Sequence, residues 1–416
     1  MIATILTQHT EDAALLYLQR RAAVHAPHFA LLYLKRLDER LAAHLDGLCV
    51  AAEEGQPWLR EEDGELPGSL FAETVVALTA QPARLDALLA RAAALPEELQ
   101  AEVVAALGWV ESNCLQGVVK TLLESPDAFH RRLVLEACMQ HGANPGTFLQ
   151  TDFAAEDPAL RACAARAAGE LGLATLREPC RMLLDDTASA VVFAAAYAAV
   201  LLGDRAQGLA QLGSLAAQAG PHQHEALRLW LLAANPVDAH NLLAQLARQP
   251  EQTRTLITAS GIAGDPQYLP WLLQQMEKPA LARLAAEAFA LITGQDLAEE
   301  DLDASAPGMP EEDLPGPNDD AENEDLSEDP DDNLPWPDVA KLQAWWQANA
   351  ARFPTGQPFF MGQPRSPRIA LTTLREGYQR QRRLAALILA LQSPDTALFN
   401  IAAPARRQAA ALAAIS

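Results

Sequence analysis

Arginine is concentrated in the last part of the chain, and its side chain is well suited to binding carboxylates. From residue 339 onward there are ten basic residues against two acidic ones, Glu376 and Asp395. A guanidinium group offers a planar set of donors that matches a carboxylate. The residues concerned are Arg375, Arg380, Arg382, Arg383, Arg406 and Arg407. One hypothesis is that they bind an acidic partner protein or the chain's own acidic segment; an ordinary solvated helix face is the commoner use of such a charge run.

Two adjacent tryptophans form a second candidate contact. Trp345 and Trp346 precede a Pro-rich loop that carries Phe353, Phe359 and Phe360. Aromatic side chains of this kind either pack in a core or anchor a partner. We expect them to fasten the loop to neighbouring helices, with partner binding as the alternative.

Few other side chains have a spacing that suits chemistry. His222 and His224 are two residues apart, so a helix splays them, and no third ligand is evident for a metal. His44 lies among acidic residues, as on many surface helices. Cys163 and Cys180 fall within apolar helical patterns and should be buried. We therefore predict no catalytic residue, no metal site and no cofactor.

Composition narrows the class of protein. The 416 residues carry a net charge of −23, which disfavours binding to nucleic acid or to anionic membranes. The five cysteines contain no CxxC pair, which favours a reducing compartment. The sequence shows neither a convincing signal peptide nor an apolar run long enough to cross a bilayer, so we expect a cytoplasmic protein.

Apolar periodicity predicts an all-α chain. Residues 1–50 indicate two amphipathic helices, 51–69 a linker, and 70–297 a series of helical hairpins. Turn residues in that series recur every 29 to 34 positions: Gly108, Gly142, Gly172, Gly203, Asn235, Gly264 and Gly294. This period is typical of a solenoid of stacked hairpins, with an irregular helical bundle as the alternative.

The remaining chain divides by charge. Residues 298–335 form an acidic insert, and 299–332 contain 16 Asp and Glu with no Lys or Arg. Such a composition predicts disorder. Residues 336–416 form a basic C-terminal segment, with helices predicted near 368–392 and 404–414.

Four stretches resemble known sequences. The run DPALRACAARAAGELG (157–172) resembles HEAT-like repeats of the phycobilisome-lyase type. The runs LLYLKRLDERLAAHLDGLCVA (31–51), LREGYQRQRRLAALILAL (374–391) and APARRQ (403–408) resemble the two ends of an uncharacterised proteobacterial HEAT-repeat family. The resemblance implies a HEAT-like solenoid, and an association of some members with type VI secretion implies a role in effector loading.

These observations favour a non-enzymatic scaffold that binds another protein, such as an adaptor or chaperone for a secretion effector. Two alternatives stay open. One is an enzyme of the bilin-lyase type, which would need a large apolar cavity. The other is a neutraliser of a partner toxin, in which the acidic insert covers a basic surface.

Overall fold

The computed structural model describes residues 3–56, 68–306, 329 and 331–415. Within these residues helices dominate, as the apolar periodicity predicts, and strands are confined to two short ribbons. The chain forms two compact units. Unit 1 comprises residues 1–215 and 374–416, and unit 2 comprises residues 216–373.

In the described residues the first α-helices along the chain are α1 (Ala3–Ala23), α2 (Leu31–Glu53), α3 (Ser69–Thr79), α4 (Leu85–Ala93), α5 (Glu97–Trp109), α6 (Val118–Leu123), α7 (Ala128–His141), α8 (Phe148–Asp152), α9 (Pro158–Glu170), α10 (Arg177–Met182), α11 (Ser189–Leu201) and α12 (Gln207–Ala217). The remaining helices are α13 (Gln223–Ala233), α14 (Pro236–Leu246), α15 (Thr253–Ala263), α16 (Leu269–Met276), α17 (Pro279–Thr293), α18 (Val339–Asn349), α19 (Pro367–Glu376), α20 (Gln379–Gln392) and α21 (Ala405–Ala414). The unit boundaries fall within α12 and α19.

Helix α9 shows how the sequence specifies these elements. Asp157 accepts hydrogen bonds from the backbone N–H of Ala159 and Leu160, and Pro158 occupies the first helical turn. Both are favoured residues at a helix start. The apolar face of α9 is buried, with Ala164 fully enclosed. This face packs against α7 and α11.

The N-terminal pair is also helical as predicted. In α2 the five leucines at three- and four-residue spacing are all buried: Leu34, Leu37, Leu41, Leu45 and Leu48. They join the apolar core of unit 1, and α2 packs on α1 and α3. The face between these leucines also buries Asp38, which the leucine pattern does not indicate.

The predicted turn residues have two different roles. Gly142, Gly172, Gly203, Gly264 and Gly294 adopt positive φ angles where helices end, as expected. Gly108 is different because it lies inside α5, where a Cβ would meet the side chain of Gln140. Asn235 begins a helix instead of ending one, since its side chain accepts from the N–H of Asp238 in α14.

Both ends of the acidic insert are ordered, contrary to the predicted disorder. Strand β1 (Asp303–Ala304) pairs antiparallel with β2 (Trp336–Pro337), and Leu302 is buried beside them. On the far side, Asp331 is buried and pairs with Arg254 at 2.6 Å. The buried apolar residues and ion pairs at the two ends offset the loss of conformational entropy on ordering the chain. The acidic composition of the insert does not indicate these contacts. Residues 307–328 and 330 of the predicted insert lie outside the described residues, as do 57–67 of the predicted linker.

The predicted helix near 368–392 is two helices, α19 and α20. The break falls at Gly377 and Tyr378, because Tyr378 forms a β-bridge with Ala30. The next residue, Gln379, donates its backbone N–H to Phe29 O at 2.8 Å. The helix predicted at 404–414 corresponds to α21.

A second ribbon lies in unit 2, where β3 (Phe359–Phe360) pairs antiparallel with β4 (Gln363–Pro364). In the part of the chain that the structure describes, no helix is both long and apolar enough to cross a membrane.

Candidate functional site in the C-terminal segment

Residues 393–404, which we name the unit 1 strap, join α20 to α21 across the C-terminal ends of earlier helices. Leu398 N donates to Glu170 O at the end of α9, at 2.7 Å. Asn400 Nδ2 donates to Gln140 O near the end of α7, at 3.4 Å. The last carbonyls of a helix have no partner within that helix. The strap therefore supplies donors that these helix ends lack.

Arg406 and Arg407, which follow the strap's extended part, serve the end of α5 in the same way. Arg407 donates through Nη2 to Gly108 O, and Arg406 donates to Trp109 O at 3.3 Å. Arg406 also pairs with Glu111 at 2.7 Å. A cation is favoured at a helix C-terminus, where the backbone dipole is negative. Two of the basic residues of the C-terminal segment therefore bind backbone carbonyls of the same chain.

His141 links Arg407 to α7. Its Nδ1 lies 3.0 Å from Arg407 Nη1, and its Nε2 lies 2.8 Å from Leu107 O. Since the guanidinium can only donate and the carbonyl can only accept, the ring carries its hydrogen on Nε2. Burial lowers the pKa of His141, and the positive charge of Arg407 lowers it further.

Arg382 lies in the interior of unit 1, with no exposed side-chain surface. Its Nε donates to Leu374 O at 2.8 Å, and its terminal nitrogens donate to the side-chain oxygens of Gln379 and Gln408. Burial lowers the pKa of Arg382 to about 10. The guanidinium therefore connects α19, α20 and α21.

The other predicted arginines lie nearer to the surface. Arg375 is exposed and donates to Ile415 O at 2.6 Å, which ties α19 to the residue after α21. Arg380 is partly buried and donates to His25 O at 3.2 Å. Arg383 is partly buried on α20. The structure thus brings Arg406 and Arg407 together, places Arg382 inside, and leaves Arg375 and Arg406 as the exposed members of the set.

Asp38 explains how the start of α21 is held. Its Oδ2 accepts the backbone N–H of Ala405 at 2.7 Å, and its Oδ1 accepts from Arg20 Nε at 2.7 Å. Arg20 in turn donates to Ala402 O at 2.9 Å. A buried carboxylate of α2 therefore caps a helix that lies more than 360 residues away in sequence.

Trp345 and Trp346 are partly buried in unit 2. Trp345 lies edge-on to Phe289 with ring centroids 5.7 Å apart, and both tryptophans have centroids 6.0 Å from Phe353. They join the apolar core of unit 2 at its margin. This is the arrangement expected if they fasten the Pro-rich loop to the helices.

A similar strap lies in unit 2. Residues 356–362, the unit 2 strap, run past the ends of α15 and α17. Phe359 N donates to Gly264 O at 2.8 Å, and Met361 N donates to Leu291 O at 2.8 Å. Gly356 N donates to the carboxylate of Asp265. Sequence patterns give no sign of this contact, because its donors are backbone amides.

The turn glycines have a second role that follows from the straps. At Gly172 an added Cβ would lie 2.5 Å from the carbonyl carbon of Thr396. At Gly264 it would lie 2.2 Å from Phe359 O. Glycine at these two helix ends therefore provides both the left-handed turn and the space in which the strap lies.

The histidine and cysteines considered for catalysis lie next to other side chains of the chain or are buried in its core. His44 Nδ1 lies 3.1 Å from His9 Nδ1 and 3.7 Å from Asp12. Burial raises the pKa of Cys180 to about 12 and that of Cys163 well above its usual value. Among the described residues, no group of three or more His, Cys, Asp or Glu side chains is arranged to hold a metal ion.

Comparison with known proteins adds no assignment. The chain matches no protein-family model, no curated protein and no solved structure.

Proposed function

We propose that the chain is a non-enzymatic scaffold that binds another protein through stacked HEAT-like hairpins. The observation that carries this proposal is a recurrence in α7 and α9. An Asp N-cap, an ion-paired Arg and a terminal left-handed Gly are each repeated at a separation of 30 residues. The pairs are Asp127 and Asp157, Arg131 and Arg161, and Gly142 and Gly172.

The ion pairs in this recurrence close the hairpins. Arg131 of α7 pairs with the buried Asp152 at the end of α8, and Arg161 of α9 pairs with Asp186 at 2.8 Å. Equivalent contacts in consecutive hairpins are typical of repeat proteins, in which each unit packs mainly on its neighbours. Such arrays use their extended surfaces to bind other proteins.

The short helices of the hairpins provide apolar side chains for such binding. Phe148 at the start of α8 is 36% exposed, and Met182 at the end of α10 is 75% exposed. Both helices pack against α9. Aromatic residues and methionine are enriched at protein interfaces, so we place the partner on this part of unit 1.

The adaptor or chaperone form of this role, for a type VI secretion effector, rests on the resemblance of the two ends of the chain. The bilin-lyase alternative gains no support from the cavity in unit 2, whose volume of about 10 Å³ is far below that of a cofactor site. The toxin-neutraliser alternative needs carboxylates of the insert to bind a partner. One of them, Asp331, forms its ion pair with Arg254 of the same chain instead.

The test is capture from cells followed by reconstitution of the complex from purified proteins. We expect one principal partner to bind the full chain and to lose at least tenfold in affinity for the double variant F148D/M182D. The matched control is Q150D/A190D, which adds the same charge at two exposed positions of α8 and α11. A partner that binds both variants equally would place the interface elsewhere, and an enzymatic turnover by the purified chain would refute the scaffold proposal.

A further inference from the structure

A small cavity in unit 2 is lined by a charged side chain that has no ionic partner among the residues the structure describes. Its apolar wall consists of Leu231, Ala234, Pro236, Ala239, Ala263 and Pro358. Its polar lining consists of Asp265, Tyr268 and Arg365. The cavity holds about 10 Å³, which is room for a single oxygen atom, and the surrounding recess has about 280 Å³ when counted out to open solvent.

Arg365 is the unusual member of this lining. Its Nη1 is shielded from solvent, yet it has no hydrogen-bond partner among the described residues. Its guanidinium also makes no ion pair with any residue that the structure describes. Its backbone N–H donates to Pro358 O at 2.9 Å. Because Nη1 is shielded from solvent, leaving this cationic donor without an acceptor is costly, and an anion beside it would remove the cost.

The carboxylate of Asp265 does not supply that anion. Its Oδ1 accepts from Gln267 N at 3.0 Å and from Gly356 N at 3.1 Å. Its Oδ2 accepts from Gln267 Nε2 and from Gly356 N, each at 3.0 Å. These bonds hold the unit 2 strap and the turn before α16, so Asp265 is committed to the fold.

Tyr268 adds a neutral hydroxyl group. Burial raises its pKa to about 12, with a further contribution from the negative charge of Asp265. The hydroxyl oxygen lies 3.1 Å from His240 Nδ1. At neutral pH the cavity therefore combines a cation that no described residue pairs with, a carboxylate whose hydrogen bonds hold the fold, and one protonated phenol.

We propose that the Arg365 cavity binds a carboxylate group, which inserts one oxygen beside the guanidinium. The size of the cavity admits one oxygen, and the apolar wall strengthens the ionic contact by excluding water. A dianion such as phosphate fits less well, because Asp265 already places a negative charge in the lining. The carboxylate is that of a small organic acid or that of an acidic side chain on a peptide.

The first experiment compares thermal unfolding of the full chain in sodium acetate and in sodium chloride at equal ionic strength. We expect acetate at saturating concentration to raise the Tm by about 2–5 °C relative to chloride. This rise should disappear in R365M and R365Q and persist in R368Q. Arg368 is the matched control, because it is exposed and lies three residues further along the chain.

The second experiment identifies the source of the carboxylate by calorimetric titration with two blocked tripeptides, Gly-Asp-Gly and Gly-Asn-Gly. Binding of the Asp peptide at least tenfold tighter than the Asn peptide, with loss in R365M, would support an acidic side chain as ligand. An acetate effect without peptide binding would assign the cavity to small organic acids. The proposal is overturned if acetate has no effect on the wild-type chain, or if R365M and the wild-type chain respond equally. Both measurements use the purified chain alone, so they are independent of whether a cellular partner is found.

Discussion

At the residue scale, glycine at a helix end can be required for two separate reasons. Gly142 and Gly172 both adopt φ +64. No atom of the described residues would lie within 4 Å of a Cβ at Gly142, whereas at Gly172 it would meet the backbone of Thr396. A substitution at Gly142 therefore measures the cost of the left-handed conformation alone. The same substitution at Gly172 adds the cost of displacing the strap.

We predict that G142A lowers the free energy of unfolding by about 1–2 kcal/mol, the cost of a left-handed alanine. G172A should lower it further, by roughly 2–5 kcal/mol in all, because overpacking is added to the same conformational cost. Urea denaturation monitored by circular dichroism provides both values. Equal losses in the two variants would show that the strap does not depend on the space at Gly172.

His141 gives the fold a dependence on pH. Its pKa is lowered in the folded chain, so protonation favours the unfolded state. The contribution of His141 to stability is therefore complete above the unfolded pKa of about 6.5 and is lost as pH falls through that value towards the lower folded pKa. The charged groups that influence it are Arg407 and Glu111.

The wild-type chain should accordingly be more stable than H141Q at pH 8, with an advantage that shrinks towards pH 5. Urea midpoints measured across this range test the prediction. H224Q, which removes an exposed imidazole from α13, serves as the control and should follow the wild-type profile. A difference between wild type and H141Q that stays constant with pH would contradict the prediction.

At the element scale, the acidic insert has structured ends. Asp331 is buried against Arg254 of α15, and Asp329 pairs with Arg283 of α17. Arg283 also lies over the ring of Trp336, at 4.7 Å. The ionic partners of these two insert residues are therefore arginines of α15 and α17, and not those of the predicted C-terminal cluster.

We predict different effects for two deletions. Replacing 307–328 with a short Gly-Ser linker should leave the Tm unchanged to within about 2 °C, since its composition is that of a chain with little apolar surface to bury. Removing all of 299–332 should lower the Tm clearly, because it takes away the buried Leu302, strand β1 and Asp331. Differential scanning calorimetry can compare them.

Point variants provide the matching control for these deletions. D331N should reproduce part of the larger loss, because it leaves a buried group and Arg254 without an ion pair. D329N should cost less, since the side chain of Asp329 is 53% exposed. A loss for D329N as large as that for D331N would mean that burial does not control the strength of these contacts.

At the scale of the whole molecule, local patterns predict helices well and long-range contacts poorly. Asp157 with Pro158, and the leucines of α2, identify their helices because capping and amphipathic spacing act within a few residues. The break at Gly377 is different, since it depends on Ala30 at the other end of the chain. The straps are extended segments whose donors are mostly backbone amides, which carry no periodic signal.

The arginine cluster shows the same limit for the candidate site. A segment that binds an acidic partner and a segment that binds the C-terminal carbonyls of its own helices can have the same basic composition. Composition therefore does not distinguish the two uses. Only the structure reveals that Arg407 lies at the end of α5 and that Arg382 is enclosed. The cavity at Arg365 was not predicted either, because its lining residues are spread over more than 130 positions of sequence.

The unit 1 strap also has a consequence for synthesis on the ribosome. Unit 2 is one continuous stretch, whereas unit 1 needs residues from both ends of the chain. Translation proceeds at roughly 5–20 residues per second, so helices α5, α7 and α9 wait on the order of ten seconds or more before Leu398, Asn400 and Arg407 emerge. During that interval the end of each of these helices is open to any donor that a chaperone or a neighbouring nascent chain presents. A stop codon shortly before residue 398 would therefore leave unit 1 incomplete, although residues 1–215 of that unit are synthesised before unit 2.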